Sequence, residues 1–133
     1  MTLEEKDRQN LIGYRLQQAK ETMDDVQLLI NNKRFRSAVN RIYYGMFYAL
    51  MALGSANRFE TSKHAQLIGW FNRNFIYEGK IDARFGRIIN KAFNRRTKGD
   101  YDTFVEFEEE IVIEMYAEMN DFIDEIESYI RKN

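Results

Sequence analysis

The 133-residue sequence has no cysteine and no proline. Without cysteine there is no disulfide staple, no thiolate metal ligand and no cysteine nucleophile. That absence is compatible with a reducing compartment, and a cytoplasmic protein is the expectation. Without proline, no helix is broken from within by a missing N–H donor. Histidine occurs once, as His64. A di-iron bundle needs Glu-x-x-His on two helices, so one histidine rules it out. A serine–histidine–acid triad has only His64 to draw on, and no elbow-type motif surrounds a serine. Neither G-x-G-x-x-G nor a Walker-type loop is present. No metal and no cofactor are therefore expected. No stretch approaches the roughly 20 apolar residues of a membrane span. The longest apolar-rich run, Ile42–Leu53, has about 12 residues and reads as a buried core helix. The first ten residues are charged (Glu4, Glu5, Lys6, Asp7, Arg8) and lack the apolar core of a signal sequence.

What is present describes one globular domain over residues 1–133. Hydrophobic residues make up 44%, enough to argue against disorder. A chain of this length buries roughly two-thirds of its unfolded surface. The net charge of −1 conceals two opposed segments. Lys80–Lys98 carries Lys80, Arg84, Arg87, Lys91, Arg95, Arg96 and Lys98 against the single acid Asp82, whereas Asp102–Glu127 carries acids and no base.

Apolar residues recur every three and four positions, which predicts an all-α fold, an up-and-down antiparallel bundle of about five helices. The first helix spans about Leu3–Asn32, with Ile12, Leu16, Ala19, Met23, Val26 and Ile30 inward. The second spans about Phe35–Leu53 and is apolar on most sides, the mark of a helix in the middle of a bundle or in an interface. The third spans about Lys63–Glu78, capped by Thr61 or Ser62, with Leu67, Phe71 and Phe75 in register. The fourth spans about Ala83–Lys98, capped by Asp82. The fifth follows Gly99–Thr103 and runs to about Arg131. Gly54, Gly79 and Gly99 read as helix stops. Gly13, Gly45, Gly69 and Gly86 read as points of close helix approach.

Three constellations carry candidate chemistry. Arg84, Arg87, Lys91, Arg95 and Lys98 share one side of the fourth helix and can track phosphates. Their ordinary explanation is a surface row beside the acids Glu106, Glu109, Glu110 and Glu114. Asn40, Arg41, Tyr43, Tyr44 and Tyr48 place polar and aromatic groups in an apolar helix. Tyr44 and Tyr48, one turn apart, can line a ligand groove or a dimer seam, or be core tyrosines with wet hydroxyls. Arg95, Arg96, Asp100 and Tyr101 set two guanidiniums, an acid and a phenol at a helix end, where bidentate arginine can grip a phosphate. Basic residues also favour that end of the helix dipole for purely structural reasons.

The stretch Arg36-Ser37-Ala38-Val39-Asn40-Arg41-Ile42-Tyr43-Tyr44-Gly45-Met46-Phe47-Tyr48-Ala49 resembles the second-helix signature of HEPN proteins of the paired-tyrosine type. Ser62-Lys63-His64 resembles the start of that family's third helix, and Phe93–Asp102 its fourth-helix terminus. The resemblance covers about Leu11–Glu127. It implies a homodimer with a groove between protomers, toxin–antitoxin or defence roles, and pairing with a minimal nucleotidyltransferase. It also implies RNA as substrate. Many members cleave RNA without metal, using an arginine to hold the phosphate and a histidine four to six residues later for acid–base work.

Here the positions after Arg95 and Arg96 hold Asp100 and Tyr101 instead of histidine. Arg58 and His64 have a permitted spacing but precede the third helix. The expected catalytic set is thus Arg95, Arg96, Asp100 and Tyr101. Asn40, Arg41, Tyr44, Tyr48, His64 and Lys91 are the expected RNA- or nucleotide-binding set. These residues leave three readings open: an RNA-binding, ribonuclease-like component, a non-catalytic module that regulates the nucleotidyltransferase, and a plain structural helical protein with ordinary core tyrosines.

Overall fold

A computed structural model describes residues 1–133. Its five α-helices are α1 (Leu3–Asn31), α2 (Phe35–Ala56), α3 (His64–Phe71), α4 (Ala83–Tyr101) and α5 (Glu109–Lys132), with no strand. They form the expected up-and-down bundle. α2 packs against all four other helices, as its nearly all-round apolar surface requires. One core of 28 buried residues draws on every helix.

The first helix turns its apolar stripe inward as the periodicity implies, except at one position. Thr22 is buried where Met23 is only partly so. The Thr22 hydroxyl donates to the carbonyl of Gln18 at 2.8 Å, so its burial leaves no unmet donor. α3 does not continue as a regular helix. Asn72–Ile76 forms a π-helical turn, closed by the Tyr77 N–H donating to the Asn72 carbonyl at 2.9 Å. Leu67, Phe71 and Phe75 are all buried despite this wider turn.

Helix ends differ from the expectation in an instructive way. α2 runs on to Ala56 and α4 to Tyr101, so Gly54 and Gly99 lie inside helices. α1, α2 and the π-turn each close with the paired carbonyl bonds of a Schellman motif. Arg34 N–H reaches the Leu29 carbonyl, Phe59 N–H that of Gly54, and Lys80 N–H that of Phe75. The left-handed residue is Lys33 (φ 60°) in the first and Arg58 (φ 58°) in the second, and only in the third is it glycine, Gly79 (φ 72°). A side chain in that conformation costs about 1–2 kcal/mol, so glycine was not needed there.

Gly54 and Gly99 answer a different demand. A Cβ on Gly54 would lie 2.5 Å from the Phe59 carbonyl oxygen, and one on Gly99 would lie 3.1 Å from the Phe107 ring. Gly45 and Gly86 do sit at close approaches, against Met119 and Thr22 and against Asn72 and Ile76 respectively. Gly13 faces open space and Gly69 meets only Arg73 in the π-turn that follows α3, so neither marks a contact between packed helices.

The Asp82 cap of α4 behaves as its sequence implies, whereas α3 starts from Lys63 with no side-chain cap, and neither Thr61 nor Ser62 caps it. The Asp82 carboxylate accepts from Arg84 N–H at 2.8 Å. Thr61 accepts from Lys63 N–H at 3.1 Å, just ahead of α3. The link between α4 and α5 is longer than expected, Asp102–Glu108. Arg36 from the start of α2 secures it, donating to the carbonyls of Gly99, Asp102 (3.1 Å), Thr103 (3.4 Å) and Val105 (2.5 Å).

Candidate functional site

A polar site forms where α2, the start of α3 and the last turns of α4 meet. His64 opens α3 and lays its imidazole on Phe47 of α2, with ring centres 4.1 Å apart and planes within 9°. Its Nδ1 lies 2.5 Å from the Tyr43 hydroxyl, and Tyr44 meets it edge-on at 5.6 Å. Burial, and after it the Arg96 charge, hold the imidazole below its usual pKa. The neutral ring is therefore favoured. A Tyr43 hydroxyl that donates to Nδ1 puts the imidazole proton on Nε2, the nitrogen without a protein partner.

Tyr43 is fully buried. Burial pushes its phenol well above the usual value, opposed by the nearby guanidinium of Arg96. That guanidinium lies over three rings, 4.9 Å from the centre of Tyr43, 5.3 Å from Tyr44 and 5.5 Å from Phe93. Such cation–π contacts suit a partly desolvated arginine. Arg96 donates to Asp100 at 3.2 Å, one turn along α4. Burial disfavours its charge, but the hydrogen bond to Asp100 and the phenols of Tyr44 and Tyr43 outweigh that and raise its pKa. Asp100 also accepts from the Asn40 amide at 3.2 and 3.4 Å. Arg41 donates to Asn40 at 3.4 Å and stands over the Tyr44 ring at 4.9 Å. Tyr48 completes the edge of the site, its ring 6.2 Å from that of Tyr44.

The fold thus gathers Asn40, Arg41, Tyr44, Tyr48, His64, Arg96 and Asp100. Arg96 and His64 are far apart in sequence, yet both lie against the rings of Tyr43 and Tyr44. Arg58 is not part of this group. It lines a cleft with Glu4, Glu5 and Glu60 by the start of α1.

Arg95, Lys91 and Tyr101 lie elsewhere. Successive helix residues turn by about 100°, so Arg95 and Arg96 leave α4 in different directions. Arg95 and Lys91 join Arg87, Asn90, Asn94 and Lys98 along an outer cleft of roughly 500 Å³ with no apolar residue in its wall. Tyr101 is 81% exposed. The acids that meet the basic row are not those expected. Arg84 pairs with Asp121 at 2.6 Å and Lys91 with Glu118 at 3.0 Å, while Glu109 pairs with Lys33 at 2.8 Å.

Two structural contributors lie outside the expected sets. Tyr43 is the hub between His64 and Arg96, and its place among apolar neighbours was the available signal. Arg36 holds the α4–α5 link through main-chain carbonyls, which no residue pattern reveals.

Chemically, the site offers a caged guanidinium, a neutral imidazole with a free nitrogen, and a carboxylate already seated on the guanidinium. Asp100 takes one N–H of Arg96, while the buried Nε–H has no partner, so an anion that reaches Arg96 meets the Asp100 charge beside it. No three His, Asp or Glu side chains converge as metal ligands would, and no helix is long and apolar enough to cross a membrane.

Fold and site together define a class: an all-helical bundle with an arginine, a histidine and paired tyrosines gathered between its second, third and fourth helices. The model of the HEPN domain matches residues 12–129, and the chain belongs to the HEPN family. It is 41% identical over 124 residues to a Thermotoga maritima protein named "UPF0332 protein", covering 93% of this chain and 94% of that one. It is 37% identical over 128 residues to a Methanocaldococcus jannaschii protein named "Putative toxin MJ0605", covering 96% and 94%. A second protein of that organism, named "Putative toxin MJ0142", is 28% identical over 115 residues, covering 86% and 78%.

Proposed function

We propose that this chain is the toxin-like HEPN component of a toxin–antitoxin or defence module, and that it binds RNA or a nucleotide at the Arg96 site. Family membership and the names of the two Methanocaldococcus relatives support the toxin-like role. The observation that carries the binding role is the convergence of Arg96, His64, Asn40 and Tyr44, four groups suited to a phosphate, a proton, a base edge and a base face. The active form is a homodimer in which a second copy completes the groove along Tyr44 and Tyr48.

Binding without cleavage is the favoured form of this reading. Asp100 already accepts from one N–H of Arg96, and Tyr43 engages one nitrogen of His64. The direct test mixes purified protein with a transfer-RNA pool in EDTA, beside Arg96→Ala. The expected result is RNA binding that Arg96→Ala weakens, with the RNA left intact. Equal binding by both proteins would remove Arg96 from the site. Cleavage by the wild type alone would make the chain a metal-independent ribonuclease.

A second reading has its own observation. Phe104 on the α4–α5 link is 93% exposed and Tyr101 beside it 81%, apolar surface that a protein partner can cover. In that reading the chain regulates a minimal nucleotidyltransferase without catalysis. Pull-down with a co-expressed nucleotidyltransferase, retained by wild type and lost in Phe104→Asp, supports it; no association counts against it.

A further inference from the structure

The outer face of α4 is a feature the Arg96 site does not use. Arg87, Asn90, Lys91, Asn94, Arg95 and Lys98 line one open cleft, every wall residue cationic or an amide. Their spacing of three, one, three, one and three keeps them on one side of the helix, and Tyr101 lies in the same register at the end of the row. At about 1.5 Å per residue the row extends roughly 17 Å from Arg87 to Lys98. Arg96 and Asp100 project from the opposite side of the same helix.

The charges in this row are largely unspent. Seven ion pairs form in the chain, and of the four cations in the cleft only Lys91 takes part, with Glu118 at 3.0 Å. Arg87, Arg95 and Lys98 also have no hydrogen-bonded side-chain partner, though acids abound on α5. Two acids of α5 are already engaged by bases of α4, Asp121 with Arg84 and Glu118 with Lys91. Three free cations with two amides between them repel one another in the folded chain. An external polyanion relieves that repulsion.

We propose that this face binds the phosphodiester backbone of single-stranded RNA, with Arg87, Arg95 and Lys98 on phosphates spaced along the strand and Tyr101 stacking a base at one end. The choice of RNA rests on the function proposed above; the choice of a strand's backbone rests on the face itself. An open row lined only by cations and amides does not enclose a small ligand or an apolar peptide side chain. Asn90 and Asn94 supply donors and acceptors for sugar hydroxyls between the charges. The exposed phenol ring offers the stacking platform that a single strand uses and a duplex cannot reach. The face then works as a track that holds the strand while a different segment enters the Arg96 site on the other side of the helix.

The test is fluorescence anisotropy of a labelled oligouridine of about a dozen nucleotides, read between about 50 and 200 mM salt. The proteins are wild type, Arg87→Gln/Arg95→Gln/Lys98→Gln, Tyr101→Ala and Arg96→Ala, each checked by circular dichroism and thermal unfolding. The triple variant is expected to lose about tenfold or more in affinity at low salt. Its plot of log affinity against log salt should be shallower by about 2, three lost phosphate contacts at roughly 0.7 each on a single strand. Tyr101→Ala is expected to lose about tenfold with the salt slope unchanged. Should the triple variant fold poorly, Lys98→Glu on the exposed last turn takes its place, with a loss of the same sign.

If the triple variant keeps both affinity and slope while Arg96→Ala weakens binding, the outer track is wrong and the Arg96 reading stands. No RNA binding by the wild type overturns both. Duplex DNA of equal length bound as tightly as the RNA overturns the assignment to a single strand.

Discussion

Arg95 and Arg96 are neighbours in sequence with the same side chain, yet they live in opposite circumstances. Arg96 is 11% exposed, lies over three aromatic rings and is bound to Asp100. Arg95 stands in a cleft of cations and amides with no acid on it. The inner face of α4 has satisfied its charge through the fold, while the outer face has left its charge for something outside. Charge counted along a segment is therefore a poor guide to charge available for binding. The seven bases in Lys80–Lys98 divide into one caged, several paired across the surface, and three free.

That contrast can be broken most severely from the inner side. Tyr43→Ala removes the fully buried ring on which both Arg96 and His64 rest. A loss of about 3–5 kcal/mol is expected in urea unfolding, whereas Arg87→Ala on the outer face should stay within about 0.5 kcal/mol. A Tyr43→Ala cost below that of an ordinary surface change would mean the inner cluster is not structural. Tyr43→Phe separates the ring from its hydroxyl and should cost about 1–2 kcal/mol.

Arg36→Ala should cost about 1–2 kcal/mol by freeing the carbonyls of Gly99, Asp102, Thr103 and Val105. Its signature is local: amide exchange should quicken at the end of α4 and through the link to α5, and little elsewhere. Uniform quickening would deny Arg36 its clamping role.

Asp100→Asn sharpens the contrast in function. It removes the carboxylate that competes for Arg96 and should raise RNA affinity several-fold, about 1 kcal/mol, with a modest loss of stability. Weaker binding would show that Asp100 contacts the ligand instead of competing with it.

The smallest effect is a pH dependence. His64 is held below its usual value of 6.5 by burial and then by Arg96. The unfolded chain therefore takes up a proton before the folded one does, so the stability from this group is complete above about pH 6.5 and declines as the pH falls below it. Wild type should lose more of its unfolding midpoint than His64→Gln between about pH 7 and pH 5. Parallel losses would remove His64 as the cause.

Much of the fold was legible because apolar residues repeat at helical spacing and because α2 is apolar on most sides. Helix ends were less so. Gly54 and Gly99 look like stops, but Lys33 and Arg58 take left-handed positions that propensity alone would assign to glycine. The π-turn at Asn72–Ile76 leaves no mark in a pattern that still places Leu67, Phe71 and Phe75 inward. The site was legible in its ingredients and not in its grouping. Asn40, Tyr44, Arg96 and Asp100 do meet, but Arg95 and Tyr101 were grouped with them by adjacency, and a rotation of about 100° per residue separates neighbours on a helix. His64 joins Arg96 through a tertiary contact on Tyr43, which spacing along the chain does not express.

The most direct test of this division is a crossed comparison of Arg95→Gln and Arg96→Gln, with unfolding free energy and affinity for oligouridine RNA measured on each, the latter at low and moderate salt. Arg96→Gln should cost about 1–3 kcal/mol of stability, while Arg95→Gln should leave stability within about 0.5 kcal/mol and lower both affinity and its salt dependence. A destabilised Arg95→Gln beside an undisturbed Arg96→Gln would contradict this division, and so would loss of salt dependence in Arg96→Gln alone.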